Sequence, residues 1–481
     1  MAGQVAHVGY STPAMSHTHH SFSKRRHLLT NPSDAFTLAA DIRRNLAGGD
    51  HAALGALLES QHPADLADTM RHLDPAEERA VFALLSTVEA AEVLDEVDSE
   101  TERNLVAACA PDALATIVRT LPTDEAADVL GGIPSEERDR VVALLDPDYA
   151  SAVRSLLAFP PRSAGGIMSL GFVAVPIDGT QAEAATRFRA AVDAEPTFYV
   201  YVVDSVGALV GEIDLRTLFS ADPTVPVREM LRDGLVTVPP DCDQEQVAAI
   251  FARYDLTALP VVSSGPERRL LGVITADDII DVIQEEANED VARLTGSDAA
   301  ELEKKSPVQV AKLRLPWILS TMLIELLAGF VIRVFNPTLE KYLLLASFMP
   351  IISAISGNTG LQSAAIIIRG LSSGQVQLNH WKHAVLRQIE TTLILGFVCA
   401  ASLGVIAAIW DKHWPFGLVV FLGMFLAVNI AGVVGTVVPL LSKRAGFDPA
   451  LTAGPFETAF QDVVGISIFL SLAAFLLRVL H

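Results

Sequence analysis

At 481 residues, with 57 acidic against 35 basic side chains, the chain is too long for one ordinary domain and too acidic for a nucleic-acid binder, which needs basic surface for phosphates. Residues 51–300 carry 45 Asp plus Glu against 17 Lys plus Arg, whereas residues 301–481 carry 9 against 13, so an acidic front half meets an apolar, slightly basic back half. Cys109, Cys242 and Cys399 lie far apart without paired metal spacing, which argues against a disulfide framework or zinc site and fits a cytosolic front half.

The first segment, "MAGQVAHVGYSTPAMSHTHHSFSKRR", lacks the continuous apolar core of a signal peptide. Residues 1–50, with His17, His19 and His20, are expected to form a disordered or partly helical tail. Residues 51–162 read as short amphipathic helices punctuated by Pro63, Pro75, Pro111, Pro122, Pro134 and Pro147. "EAAEVL" at 89–94 returns as "EAADVL" at 125–130, the mark of a helical repeat. Asp or Ser before each apolar run can cap a helix start. Such an array is a scaffold and carries no chemistry of its own.

After "SAGGIMS" at 163–169 the pattern changes to strands mixed with helices. "FYVYVVDSVGALVGEIDLRTLF" and "LTALPVVSSGPERRLLGVITADDII" share one layout, a β-rich run, a turn, a second β-rich run and a helix start, about 60 residues apart. They resemble a tandem pair of CBS domains, placed at 163–231 and 232–285. That resemblance implies an α/β regulatory unit holding an adenine nucleotide, ATP being the candidate. Thr275 and Asp278 match the positions that hold a ribose, with Arg216 counted among the contacts, while the first copy has Asp214 and Thr217 in the reverse order.

"TADDIIDVIQEEANEDVARL" concentrates carboxylates at helical spacings of three and four, where like charges repel unless cations offset them. Hard divalent cations such as Mg²⁺ suit such oxygen ligands. Residues 286–314 are expected to continue as a linker, or plug, helix.

Five apolar spans long enough for a ~30 Å hydrocarbon core follow, approximately Leu315–Phe335, Tyr342–Leu371, Ala384–Trp410, Phe416–Leu441 and Gly454–Leu480. Lys304, Lys305, Lys312, Arg314, Arg369, Lys382, Arg387, Lys443 and Arg444 cluster on one side, which places the N-terminus inside and the C-terminus outside. In the second span Pro350, Gly357, Asn358, Thr359, Gly360 and Gln362 interrupt the apolar run. Gly and Pro there are expected to open the helix and expose carbonyls toward a watery cavity. Asn429 and Pro439 lie in the fourth span and Asp462 in the fifth. A charge at that depth costs on the order of 3 kcal/mol and usually faces a pathway. With amide and carbonyl oxygens around it, Asp462 would make a site for a partly hydrated cation. Glu457, five residues earlier and off that face, is expected at the inner mouth of the pore or near the headgroups. Glu325 has no obvious partner, and Glu390 snorkels to the interface.

Residues 50–481, with "SAGGIMS", "SGNTGLQSAAIIIRGL" and "DPALTAGPFETAFQDVVG", resemble the MgtE family of magnesium channels. The resemblance implies a multidomain membrane protein with an α-helical repeat domain, tandem α/β CBS domains and a five-helix transmembrane domain at 315–481. It further implies a homodimer in the plasma (inner) membrane, with one pore at the two-fold axis admitting hydrated Mg²⁺. Asp462 matches the acidic pore residue, and Gly357, Asn358 and Gly360, with Asn429, are carried over as cation-binding. Regulatory Mg²⁺ is expected at Asp124, Asp128, Ala252, Asp255, Asp278, Asp281, Glu286, Glu289 and Asp290. The chain departs from the pattern at Ser356, Glu457, Gln388 and Thr217. The alternative is a Na⁺- or H⁺-coupled divalent-cation transporter or exporter. An enzyme is disfavoured by the lack of a Ser/His/Asp set, P-loop or phosphorylated-Asp motif.

Overall fold

The computed structural model describes residues 32–191, 198–232, 234–297, 306–372, 374–376, 378 and 381–479. It divides into two compact units, Met1–Val282 and Ile283–His481. The histidines of the N-terminal segment lie outside the described residues.

The first unit opens with helices α1 (Pro32–Gly48), α2 (His51–Leu58), α3 (Pro63–Met70), α4 (Pro75–Phe82), α5 (Thr87–Glu96), α6 (Ser99–Val106), α7 (Pro111–Val118), α8 (Thr123–Gly131), α9 (Ser135–Val142) and α10 (Pro147–Leu156). Helices α2–α10, of 8 to 10 residues, are each too short to stand alone, so tertiary packing must supply their stability. Capping sets the boundaries. Asp74 and Ser86 close capping boxes with Glu77 and Glu89, and Asp98 accepts from the Thr101 amide. The expected Asp or Ser cap fails at α7, α8 and α9, where Ala110, Pro122 and Pro134 hold the cap position with no side-chain bond. There the buried stripes, such as Leu114 and Val118 or Ala126 and Leu130, hold the helices instead. The helical domain begins earlier than residue 51, because Leu38, Ala39 and Ile42 of α1 are buried in its core.

Next come β1 (Ala174–Pro176), α11 (Gln181–Ala190), β2 (Tyr199–Val203), β3 (Leu209–Asp214), α12 (Leu215–Ser220), α13 (Gln244–Tyr254), β4 (Ala258–Val262), β5 (Leu270–Thr275) and α14 (Ala276–Leu294). The duplication is visible in the registers. Hairpin β2–β3 starts at Tyr199 opposite Asp214 and shifts register between Val202 and Val203; hairpin β4–β5 starts at Ala258 opposite Thr275 and shifts between Val261 and Val262. A parallel neighbour lies beside each, β1 on β2 and a single bridge from Val238 to Val261. The "SAGGIMS" break joins this part to the helical repeat. The Ala164 and Gly165 amides donate to the Cys242 and Pro240 carbonyls at 2.7 and 2.8 Å. Helical residues such as Val153 and Leu156 share one core with Met168, Phe251 and Leu259.

The second unit starts within α14, at Ile283, and besides the end of that helix holds α15 (Pro307–Val334), α16 (Asn336–Lys341), α17 (Leu345–Ser372), α18 (Trp381–Asp411), α19 (Trp414–Arg444), α20 (Pro449–Ala453) and α21 (Pro455–Val479). Five of these, α15, α17, α18, α19 and α21, are long and apolar enough to cross a membrane. Their outer faces expose Leu326, Phe330, Ile394, Ile409, Trp410, Trp414 and Phe475, a surface suited to hydrocarbon and its interface. Two expectations change here. The linker is not one helix over 286–314: α14 ends at Leu294, Gly296 follows at φ 71°, and Ser306 starts α15 afresh in a capping box with Gln309. Nor do Pro350, Gly357 and Gly360 open the second span, since α17 is helical throughout.

Candidate cation sites

The glycines of α17 serve close approach rather than unwinding. A Cβ on Gly435 of α19 would collide with the carbonyl oxygen of Gly360, and one on Gly360 would collide with the Glu457 carboxylate of α21. Without side chains at these points α17 and α19 meet almost backbone to backbone, and the Glu457 side chain of α21 packs onto the Gly360 backbone. Gly357 lies beside Thr458 and Asp462 in the same seam.

Asp462 is half-buried on α21, and its carboxylate accepts from the Ser353 hydroxyl of α17. Glu325, unexplained by sequence, brings its carboxyl from α15 within hydrogen-bonding reach of Asp462. Two carboxyls and a hydroxyl from three helices therefore meet inside the apolar layer, and none of these groups is cationic. Glu457, expected at the inner mouth or near the headgroups, is 2 % exposed; Gln461 Nε2 donates to its Oε1 at 3.2 Å, and its Oε2 has no hydrogen-bond partner among the described residues.

Gly357 and Gly360 are buried, whereas Asn358, Gln362 and Arg369 are exposed on α17 in a mixed stripe with Ile351, Ala354 and Ile366. Amide side chains are out of place against lipid, so this stripe suits water or a second protein surface. Asn429 does not join the seam. Its amide nitrogen lies against Gly396 of α18 and donates to the Phe425 carbonyl at 2.8 Å. Gln388 Nε2 donates to Ser363 Oγ at 2.6 Å, tying α18 to α17, and Glu390 is exposed.

In the first unit, carboxylates from α5, α6 and α8 converge with the start of α14. Burial, then Glu96, Asp278, Asp281 and Asp277, push the Asp95 carboxyl up to about 6. Burial, then Asp128, push Glu102 up to about 7 against the relief given by Arg103. Burial also raises Asp278 and Asp281. Such upward pressure marks a place where positive charge would be welcome. Among the described residues no group of three or more His, Cys, Asp or Glu is gathered tightly enough to hold a metal ion. Mg²⁺ commonly binds through one or two carboxylates and keeps several waters.

Of the expected regulatory positions, Asp128, Asp278 and Asp281 fall in this constellation. Asp124 is buried on α8 beside Tyr149. Ala252 is exposed on α13, and Asp255 ends that helix in a left-handed conformation, φ 51°. Glu286 is half-buried on α14, Glu289 pairs with Arg293, and Asp290 accepts from the Ser372 hydroxyl at 3.1 Å. Asp95, Glu96 and Glu102 were missed because an acid-rich helix gives no sign of which of its acids meet others in space.

At the expected nucleotide positions, Thr275 Oγ1 donates to Asp278 Oδ2 at 2.6 Å. In the first copy Thr217 Oγ1 donates to Asp214 Oδ2 at 2.6 Å, and Asp214 caps α12. The same Thr–Asp contact is thus built in opposite chain order, with Arg216 in the first turn of α12. All three cysteines are free thiols.

Comparison with known proteins gives three matching family models: a divalent cation transporter over residues 349–472, the MgtE intracellular N domain over 61–162, and a CBS domain over 227–285. The magnesium transporter MgtE of Thermus thermophilus is 36% identical over 461 residues, covering 92% of this chain and 99% of that protein. The Enterococcus faecalis transporter of the same name is 35% identical over 409 residues, 84% of this chain and 90% of that one. A crystal structure of the cytosolic domain of the Mg²⁺ channel MgtE in complex with ATP is 38% identical, with a TM-score of 0.48, covering 51% of this chain and 99% of that structure.

Proposed function

The chain belongs to the MgtE family of magnesium transporters, and from that premise we propose that it is a channel admitting Mg²⁺ to the cytosol, closed when cytosolic Mg²⁺ is high. The observation that carries this is the Asp462 carboxylate in the α17–α21 seam, with a hydroxyl and a second carboxyl as partners. A fixed negative charge inside an apolar layer concentrates cations. The exposed amides Asn358 and Gln362 on α17 support a homodimer in which Asn358 of each copy lines one water-filled path, with Gly357 and Gly360 holding the seam behind it. The basic residues at the helix ends support a cytosolic N-terminus and an external C-terminus.

Closure is driven by Mg²⁺ at Asp95, Glu102, Asp128, Asp278 and Asp281, where a hydrated dication offsets the repulsion. ATP is the nucleotide that the second CBS repeat would hold at Thr275 and Asp278. The deciding experiment is patch-clamp recording of reconstituted protein, wild type against Asp462→Asn, with cytosolic Mg²⁺ stepped from zero to ~10 mM. Unitary Mg²⁺ currents that close as Mg²⁺ rises, and that lose selectivity in Asp462→Asn, are the expected result. Flux without unitary current, driven by Na⁺ or H⁺, would overturn it.

A further inference from the structure

The last turn of α14 is seated on the membrane helices by four separate contacts. Leu294 packs against Ala364 and Ile368 of α17 and Ala450 and Ala453 of α20. Gly454 lies directly under the end of α14: a Cβ there would stand 2.8 Å from the Arg293 carbonyl oxygen and 3.1 Å from that of Leu294, closer than a side chain can sit without displacing backbone. The Ser372 hydroxyl donates to Asp290 at 3.1 Å. Finally, the Arg293 guanidinium bridges Glu289, one turn earlier on α14, and Asp448, whose carboxylate caps α20.

This bridge is not a marginal surface pair. The side chains of Arg293, Glu289 and Asp448 are 30%, 12% and 26% exposed, so each is largely withdrawn from water. Removing the guanidinium would take away the cation that both half-buried carboxylates face. The location also matters, because Glu289 and Asp290 are positions where a regulatory Mg²⁺ was expected. In this chain protein groups already engage both, and the one facing Glu289 is itself a cation.

We propose that Arg293 is a built-in counter-cation that takes the place of a regulatory Mg²⁺ at this end of α14, so that α14 docks on the membrane helices without metal. Its functional meaning rests on the gated-channel reading above; its test does not. Arg293 is a positioning residue: it supplies a fixed bias toward the docked state and leaves metal sensing to the carboxylates of α5, α6, α8 and the first turns of α14. With Arg293 gone, the Glu289 and Asp448 carboxylates would need a dication between them, and docking would become metal-dependent.

The test uses the full chain with Cys109→Ser, Cys242→Ser and Cys399→Ser, carrying Leu294→Cys and Ala453→Cys, reconstituted in lipid. Cross-linking rate by a short bis-maleimide is compared in EDTA and in ~10 mM Mg²⁺, a concentration above most carboxylate affinities. This parent is expected to cross-link readily in EDTA, and Mg²⁺, which adds the share of docking supplied by the other carboxylates, should raise its rate by less than it raises that of Arg293→Gln. Adding Arg293→Gln should slow cross-linking about tenfold or more in EDTA, the scale of losing a charge-assisted contact, and Mg²⁺ should restore it. Arg293→Lys keeps the charge and should follow the parent. Loss of cross-linking by the parent in EDTA overturns the inference, as does an Arg293→Gln rate that matches the parent in EDTA or fails to recover in Mg²⁺ while Arg293→Lys cross-links normally. No current is measured, so absence of Mg²⁺ conduction would overturn the channel reading and leave this result standing.

Discussion

Glu102→Gln should make the metal-free helical repeat harder to open, even though it removes a hydrogen-bond acceptor. Glu102 faces Asp128 and Asp95, and burial together with those charges holds its carboxyl at about 7 where an exposed glutamate has 4.5. At 1.36 kcal/mol per pKa unit, keeping it ionised costs on the order of 3 kcal/mol. Solvent reaches the side chain, so a screened value of roughly 1–2 kcal/mol is the better expectation. Glutamine keeps the shape and removes that cost.

The sign follows from linkage. A carboxyl whose folded pKa is raised binds more protons folded than unfolded, so its contribution is most favourable below about 4.5 and is lost as pH climbs to about 7. At pH 8 in EDTA, amide exchange in α5, α6 and α8 of the full chain should therefore slow about tenfold in Glu102→Gln, the equivalent of ~1.4 kcal/mol. At pH 5 folded wild-type Glu102 already carries a proton while its unfolded form is still mostly ionised, and the ratio of variant to wild type should fall to about twofold. Saturating Mg²⁺ at pH 8 should shrink the difference, because the cation then relieves the same repulsion. Faster exchange in the variant at pH 8 in EDTA, or the same ratio at both pH values, would refute the reasoning.

The same carboxylates make Mg²⁺ protection pH-dependent: with Asp95 at about 6 and Glu102 at about 7, the rise in melting temperature on adding Mg²⁺ should be larger at pH 7.5 than at pH 5.5, since protons and cations compete. Gly435→Ala should destabilise the detergent-solubilised protein more than Gly360→Ala. The former meets the backbone carbonyl of Gly360 and the latter only the movable end of Glu457, so the first should approach the ~3 kcal/mol end of overpacking costs and the second the ~1 kcal/mol end; thermal melts of both variants decide it. The Tyr149 hydroxyl lies 2.8 Å from the Val118 and Leu121 carbonyl oxygens, pinning α10 to the end of α7. Tyr149→Phe should lower stability by about 1 kcal/mol, read as faster exchange in α7 and α10 with Mg²⁺-dependent protection of α5 unchanged.

Much of the fold was legible because long apolar runs, recurring "EAAEVL"-type segments and duplicated hairpins are signals of period and length. The five spans and the CBS layout both appear as expected. The errors arose where local rules met tertiary packing. Gly and Pro in α17 read as helix openers, but the helix continues through Pro350, and at Gly357 and Gly360 the neighbouring helix uses the missing Cβ for close contact. The broken linker could have been found: "LTGS" at 294–297 is a glycine stop, and "SPVQ" at 306–309 is a capping box with proline at its first helical position. No such signal exists for Glu325 beside Asp462, or for Glu102 beside Asp128. Those pairings bring together residues far apart in sequence, and a single sequence shows spacing without proximity.

One helix, α14, carries Asp278 and Asp281, proposed above to sense Mg²⁺, and ends at Arg293 and Leu294. A cation can shift such a helix between states only by binding them unequally. Moving a two-state equilibrium from 1:99 to 99:1 takes about 5.5 kcal/mol, more than the roughly 1–2 kcal/mol that Glu102 yields after screening. Asp95, more exposed, adds less. One chain therefore falls short of a sharp switch, whereas a homodimer with both clusters neutralised approaches it. A fixed docking contribution from Arg293 lowers the requirement further, because the closed state then needs only part of its stability from metal. On this reasoning Arg293→Gln should leave a channel that still senses Mg²⁺ but needs more of it to close; half-closing concentrations of wild type and variant in the patch-clamp assay give the measure, and an unchanged value would show that docking at Arg293 does not bias the gate.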